Sequence, residues 1–235
     1  MKNFAWKTVI FALIAVLIPT HVKAVSLTAT KEAGETLTTA QVIPSGPLSL
    51  DSISGTISQT NPANLFKIFL TGGKTFSATT KINPGSLADP QLFLFDSNGK
   101  GIYANDDESI NTKQATLPKG EFSPSNAGTY YLGISGFDYD PVGSEGKIFS
   151  DFPDVDFQTV LKPSGTGDGF QLQEFDGLIL DSGSYNITLT GVQTAGAKAI
   201  PEVSSGLGLL AFGVLSTGAI ASRRRQRGRT INGIS

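Results

Sequence analysis

The sequence predicts an all-β fold, an antiparallel β-sandwich of jelly-roll-like type, flanked by an N-terminal signal peptide and a C-terminal transmembrane helix. Three observations carry this. Short β-rich runs recur between turn residues with no helical apolar period in the central region, a leader-like segment opens the chain, and an uncharged stretch near the end runs into a block of arginines.

The N-terminal segment has the three-part plan of a secretory leader. Lys2 and Lys7 precede an apolar run from Thr8 to Ile18, and Pro19 breaks any helix before a short polar stretch. Val22 and Ala24 are the small residues that signal peptidase needs, so cleavage after Ala24 assigns residues 1–24 to the leader and leaves Val25 as the mature start. Eleven residues at about 1.5 Å each cover only half of a hydrocarbon core roughly 30 Å thick, which argues against an uncleaved span. At the other end, residues 203–222 carry no charge, and Arg223, Arg224, Arg225, Arg227 and Arg229 follow at once. Twenty apolar residues just span a bilayer. The positive-inside rule then puts the arginines in the cytoplasm and residues 25–200 on the far side, the topology that the leader also requires.

Ile200-Pro201-Glu202-Val203, a glycine-rich apolar helix and Arg223-Arg224-Arg225 together resemble the PEP-CTERM sorting signal, here over residues 197–229. Val203 stands where that family has a second proline. The resemblance implies that Pro201 and Glu202 are read by an exosortase-type sorting enzyme. It also implies a membrane-anchored stage before processing, then a cell-surface or extracellular location linked to extracellular polysaccharide.

Composition closes several routes to catalysis. There is no cysteine, and the single histidine, His21, lies in the leader. The exported part therefore lacks thiolate nucleophiles, Cys-ligated metals and the Ser-His and Cys-His dyads. Carboxylate chemistry remains, either a paired-acid glycosidase or oxygen ligation of a hard cation. Residues 25–200 hold ten lysines, no arginine and nineteen carboxylates, a net charge of −9. Nucleic acid is not expected as a partner for that surface. Calcium is the expected cofactor, although negative charge also serves plain solubility.

Residues 25–196 suffice for one domain with a sizeable core. Strands are expected near 53–57, 65–70, 75–82, 91–95, 101–104, 129–135 and 185–190. Between them lie breakers such as Thr71-Gly72-Gly73, Asn83-Pro84-Gly85, Ser97-Asn98-Gly99 and Asn126-Ala127-Gly128. Alternation puts Phe66, Ile68 and Leu70 on one side and Leu92 and Leu94 on another, with Tyr130, Leu132, Ile134, Ile187 and Leu189 closing the core.

The stretch Asp89 to Asp107, DPQLFLFDSNGKGIYANDD, is the most informative. Asn98-Gly99 suits a two-residue hairpin turn in which both central residues have positive φ. Ser97 would then face Lys100 and Asp89 would face Glu108, with Asp106 and Asp107 alongside. Like charges opposite one another on a sheet repel, and a bound cation converts that repulsion into coordination. The plainer alternative is a solvated, frayed strand end.

This hairpin, with Ser54-Gly55-Thr56-Ile57, Leu65-Phe66-Lys67-Ile68, the run Ala127 to Leu132 and the run Gly183 to Leu189, resembles the bacterial pre-peptidase C-terminal domain over most of residues 36–191. The resemblance implies a small non-catalytic sandwich used for targeting or substrate binding. Asn64 stands where that family commonly has an aspartate.

An insertion at about 136–177 contains Phe137-Asp138-Tyr139-Asp140, Asp151, Asp154 and Asp156. Asp138 and Asp140, two apart, would share one side of an extended chain as in a calcium loop, and aromatics between acids equally suit a sugar-binding surface. The spacing of an EF-hand is missing. The metal candidates are thus Asp89, Asp106, Asp107, Glu108, Asp138 and Asp140. The expected function is a non-catalytic binding or structural module at the cell surface. The alternatives are a polysaccharide-acting enzyme with an acid pair such as Asp138 and Asp151, or a ligand-free envelope protein.

Overall fold

The computed structural model describes residues 25–30, 33–150 and 155–195. The chain divides at Ala197, and every described residue falls before that point. The expected leader (1–24) and the sorting segment with its apolar stretch (197–229) lie outside the described residues, as do Asp151 and Asp154. Among the described residues there is no helix, hence none long and apolar enough to cross a membrane.

All seven expected strands are present. One half of the sandwich is built from β1 (Val25–Thr28), β3 (Leu48–Ile57), β5 (Ser77–Thr80), β8 (Thr116–Leu117) and β13 (Gly183–Thr190). The other contains β2 (Gln41–Val42), β4 (Ala63–Leu70), β6 (Pro90–Phe95), β7 (Gly101–Asn105), β9 (Gly128–Gly136) and β14 (Val192–Thr194). The halves form one continuous eleven-stranded sheet because β3 serves both. Its start pairs with β14, Ser49 to Gln193, and its later part with β13, Ile53 to Ile187. Pairing is antiparallel except for β1 on β3 and β2 on β4.

Alternation decides what enters the core. In β13, Tyr185, Ile187 and Leu189 are buried while Ser184, Asn186, Thr188 and Thr190 are not. They meet Phe66, Ile68, Leu70, Leu92, Leu94, Leu132 and Ile134 from the opposite layer, with Tyr130 half-buried at the margin. One expectation is corrected here: Leu92 and Leu94 share a face with Phe66 and Ile68. The reason is register, since β4 and β6 flank β9 and both Phe66 and Leu94 pair with Leu132.

β6 is buried at all six positions. Its second face, with Phe93 and Phe95, joins Ala63, Leu65 and Tyr131 in a second core closed by Ile148, Phe149, Leu172 and Phe175. Those closing residues come from the insertion, which carries its own sheet of β10 (Tyr139–Gly143), β11 (Gly146–Lys147) and β12 (Glu174–Gly177). The insertion is therefore a third layer packed on the sandwich. Phe93 lies edge-on to Phe175 at 5.7 Å and tilted against Phe149 at 5.8 Å, separations in the favourable range for aromatic pairs.

The β6–β7 hairpin keeps the expected register by a different turn. Leu92 pairs with Asn105, Phe93 with Ala104 and Leu94 with Tyr103, but a bulge follows Leu94 and Phe95 pairs with Gly101. Gly99 has φ 78°, whereas Lys74 and Asp138 are the only described non-glycine residues with positive φ, so Asn98 is not left-handed. Asp96 Oδ1 accepts the N–H groups of Asn98 at 2.8 Å and Lys100 at 2.9 Å. This Asx turn favours a three-residue loop closed by glycine, and the bulge then restores the register.

Candidate functional site

Asp89 directly precedes β6, and Asp106 and Asp107 directly follow β7, so the hairpin brings them to one end of the sandwich. Backbone bonds fix both segments. Phe137 N–H donates to Asp89 O at 2.8 Å, and Asp107 N–H donates to Phe157 O at 3.1 Å. Asn105, fully buried, accepts from Thr116 N–H at 2.8 Å and donates from Nδ2 to Asp107 O at 2.9 Å. The fold thus holds the backbone of the acids at one end of the sandwich.

One carboxylate oxygen from each of Asp89, Asp106 and Asp107 lies within 4.8 Å of the others. Two oxygens at about 2.4 Å from one calcium ion can be no more than about 4.8 Å apart, and the trio meets that limit. Asp89 is only 6 % exposed and takes an ion pair from Lys113 Nζ, whose own side chain is 69 % exposed. Burial, then the negative charges of Asp89, Asp107 and Asp140, push the Asp106 carboxyl up to about 8, against the opposing pull of Lys113. Asp107 is raised too, first by burial and then by Asp89, although Gln158 hydrogen-bonds it.

Gln91, which lines a cavity with Asp106, was not expected from sequence. It is 8 % exposed, and its Oε1 has no hydrogen-bond partner; the same holds for Asp106 Oδ1 and Asp107 Oδ1. Gln91 and Asp106 line a cavity of about 30 Å³ together with Asp140 and Asp156. A buried oxygen without a donor costs about 1–3 kcal/mol, and a hard cation is the group that satisfies several such oxygens at once. The sequence signal was a lone polar side chain on the Phe93 and Phe95 face of an otherwise apolar strand.

The other candidates are placed differently. Glu108 is exposed and stands outside the trio, because the ladder ends at Leu92–Asn105 and the chain turns, with Glu108 N–H donating to Gln114 O. Asp138 is left-handed at φ 63°, so it and Asp140 do not lie along one extended segment. Both face Lys147 instead, Asp140 at 2.8 Å and Asp138 at 4.0 Å. The aromatics between them are used in packing: Phe137 stacks edge-on to Phe157, and Tyr139 lies over Phe175 and donates to Glu35.

A wider concavity, about 630 Å³, lies elsewhere, beside β1. Thr28, Thr30, Ser54, Thr56 and Asn61 line it, a hydroxyl and amide surface with no carboxylate among its described lining residues.

No curated protein sequence matches this chain. Residues 51–136, from within β3 to the end of β9 and including Asp89, Asp106 and Asp107, match the family model of the bacterial pre-peptidase C-terminal domain, and this similarity points to a non-catalytic extracellular or surface module.

Proposed function

We propose that the chain is an exported, non-catalytic surface module that binds calcium at Asp89, Asp106 and Asp107, with Gln91 Oε1 as a further ligand. In this reading the leader is removed by signal peptidase and the C-terminal segment holds the chain in the membrane until an exosortase-type enzyme reads Pro201-Glu202. The module then associates with extracellular polysaccharide. The observation that carries the calcium site is the convergence of three carboxylates, two of which, like Gln91, carry a buried oxygen with no donor.

The site and β14 lie at opposite ends of the long strands β4 and β9. β9 pairs Ser135 with Gln91 at the acidic end and Gly128 with Leu70 at the other, and Leu70 is where β14 joins before the described chain ends at Ala195. Eight residues of β4 put about 23 Å between those ends.

Thermal melts of the full chain in detergent, in chelator and in about 5–10 mM calcium, test the reading. Extracellular sites bind at about 10⁻⁴–10⁻³ M, so the midpoint should rise by several degrees. Replacing Asp106 and Asp107 by Asn should remove the rise while the protein still folds. Identical melts with and without calcium in the unaltered chain would refute the site.

A further inference from the structure

We propose that Lys113 is a tethered counter-ion that a divalent cation displaces, so that the acidic end of the β6–β7 hairpin binds metal by exchange and this one side chain sets its affinity. The inference rests on the cation reading above and concerns how that site is regulated.

The geometry makes Lys113 a partial stand-in for a metal. Its ammonium pairs with Asp89 Oδ2 and also feels the charges of Asp107 and Asp106. With that ammonium in place, Asp106 Oδ1, Asp107 Oδ1 and Gln91 Oε1 still have no hydrogen-bond partner. One monovalent head therefore serves one carboxylate of the trio and leaves these three oxygens unserved. Calcium accepts six to eight oxygens, so it can take all of them with the Asp89 oxygen that the lysine holds.

The lysine is also built to leave. It follows a tight turn in which Thr112 N–H donates to Ser109 O at 3.0 Å, and its side chain is mostly exposed. Rotation of a few side-chain torsions would return the ammonium to water, with no strand moved and no apolar group uncovered. Asp89, by contrast, is buried and cannot follow it. The metal-free protein thus keeps its most buried carboxylate neutralised, and the metal-bound form frees a surface cation beside the site.

Three forms of the full chain in detergent test this: unaltered, Lys113→Gln and Lys113→Arg, each titrated with calcium alone and followed by melting midpoint. Exchange predicts that Lys113→Gln melts lower in chelator and reaches its calcium-induced rise at about tenfold less calcium. Lys113→Arg, whose guanidinium can grip a carboxylate with two bonds, should need more calcium than the unaltered chain. Acylation of Lys113 by an amine reagent, read by peptide mass spectrometry, should speed up on adding calcium. Equal calcium midpoints in all three forms, or an acylation rate that calcium leaves unchanged, would overturn the exchange while the site stands. No calcium response in either the unaltered chain or Lys113→Gln would overturn the site and the exchange together.

Discussion

Tyr185 Oη donates a buried hydrogen bond of 2.7 Å to Asn64 Oδ1, joining β13 in one layer to β4 in the other. Asn64 Nδ2 donates in turn to Ala33 O at 2.8 Å and Ala63 O at 2.9 Å, so both ends of the amide are used. An aspartate here could accept from Tyr185 but could donate to neither carbonyl. Asparagine at this position therefore supplies a cross-link that an aspartate could not.

Asn64→Asp should destabilise the fold by about 2–4 kcal/mol, because it buries a charge and strands two carbonyls. Tyr185→Phe should cost about 1–3 kcal/mol by leaving Asn64 Oδ1 without its donor. Chemical denaturation with both single variants checks this. A loss below 0.5 kcal/mol in Asn64→Asp, within the scatter of about ±0.5 kcal/mol seen for neutral surface changes, would rule out the cross-link.

Phe175→Ala should cost about 3–5 kcal/mol, since it empties a site packed against Phe93 and Tyr139 in the second core. Hydrogen exchange should localise the effect. Amides of β10 to β12 should lose protection while those of β13 keep it, because β13 faces the first core. Uniform loss across both would mean that the third layer and the sandwich unfold as one unit.

The pH dependence has a definite sign. Asp106 binds its proton more tightly in the folded protein, at about 8, than in the unfolded chain, near 3.9. Its stabilising contribution is complete below the unfolded value and is lost as pH rises through the folded one. In chelator the melting midpoint should fall between about pH 5 and pH 9 on account of this group, and Asp106→Asn should flatten that slope. Calcium takes the proton's place, so its added stability should be larger at about pH 8.5 than at pH 5.5. Equal increments at both pH values would exclude proton and cation competition at Asp106.

Cleavage after Ala24 should yield a mature chain that begins at Val25, the first residue of β1. Terminal sequencing of membrane-held protein checks it, and recovery of Met1 would count against a cleaved leader. Neutralising Arg223, Arg224 and Arg225 should weaken membrane retention and orientation. Unchanged topology in that triple variant would remove the arginines from the sorting signal.

The strands were legible because their signals are local. Phe66-Lys67-Ile68-Phe69-Leu70 and Tyr185 to Thr190 alternate visibly, and Asp96 to Gly99 mark the hairpin, so the β class and the register at Leu92–Asn105 follow from neighbours in sequence. That register brings Asp89 towards Asp106 and Asp107, and bonds to Phe137 and Phe157 fix the two segments. Tertiary structure decided the rest. The pairing of β4 and β6 on either side of β9 puts Leu92 and Leu94 on the same face as Phe66, a relation between strands that no single segment encodes. The role of the insertion as a cover for Phe93 and Phe95, the turn that sends Glu108 outward, and the approach of Lys113 to Asp89 and of Lys147 to Asp140 all depend on contacts between distant segments. Burial sets the last distinction, because a carboxylate's chemistry depends on how much water reaches it, and only packing determines that.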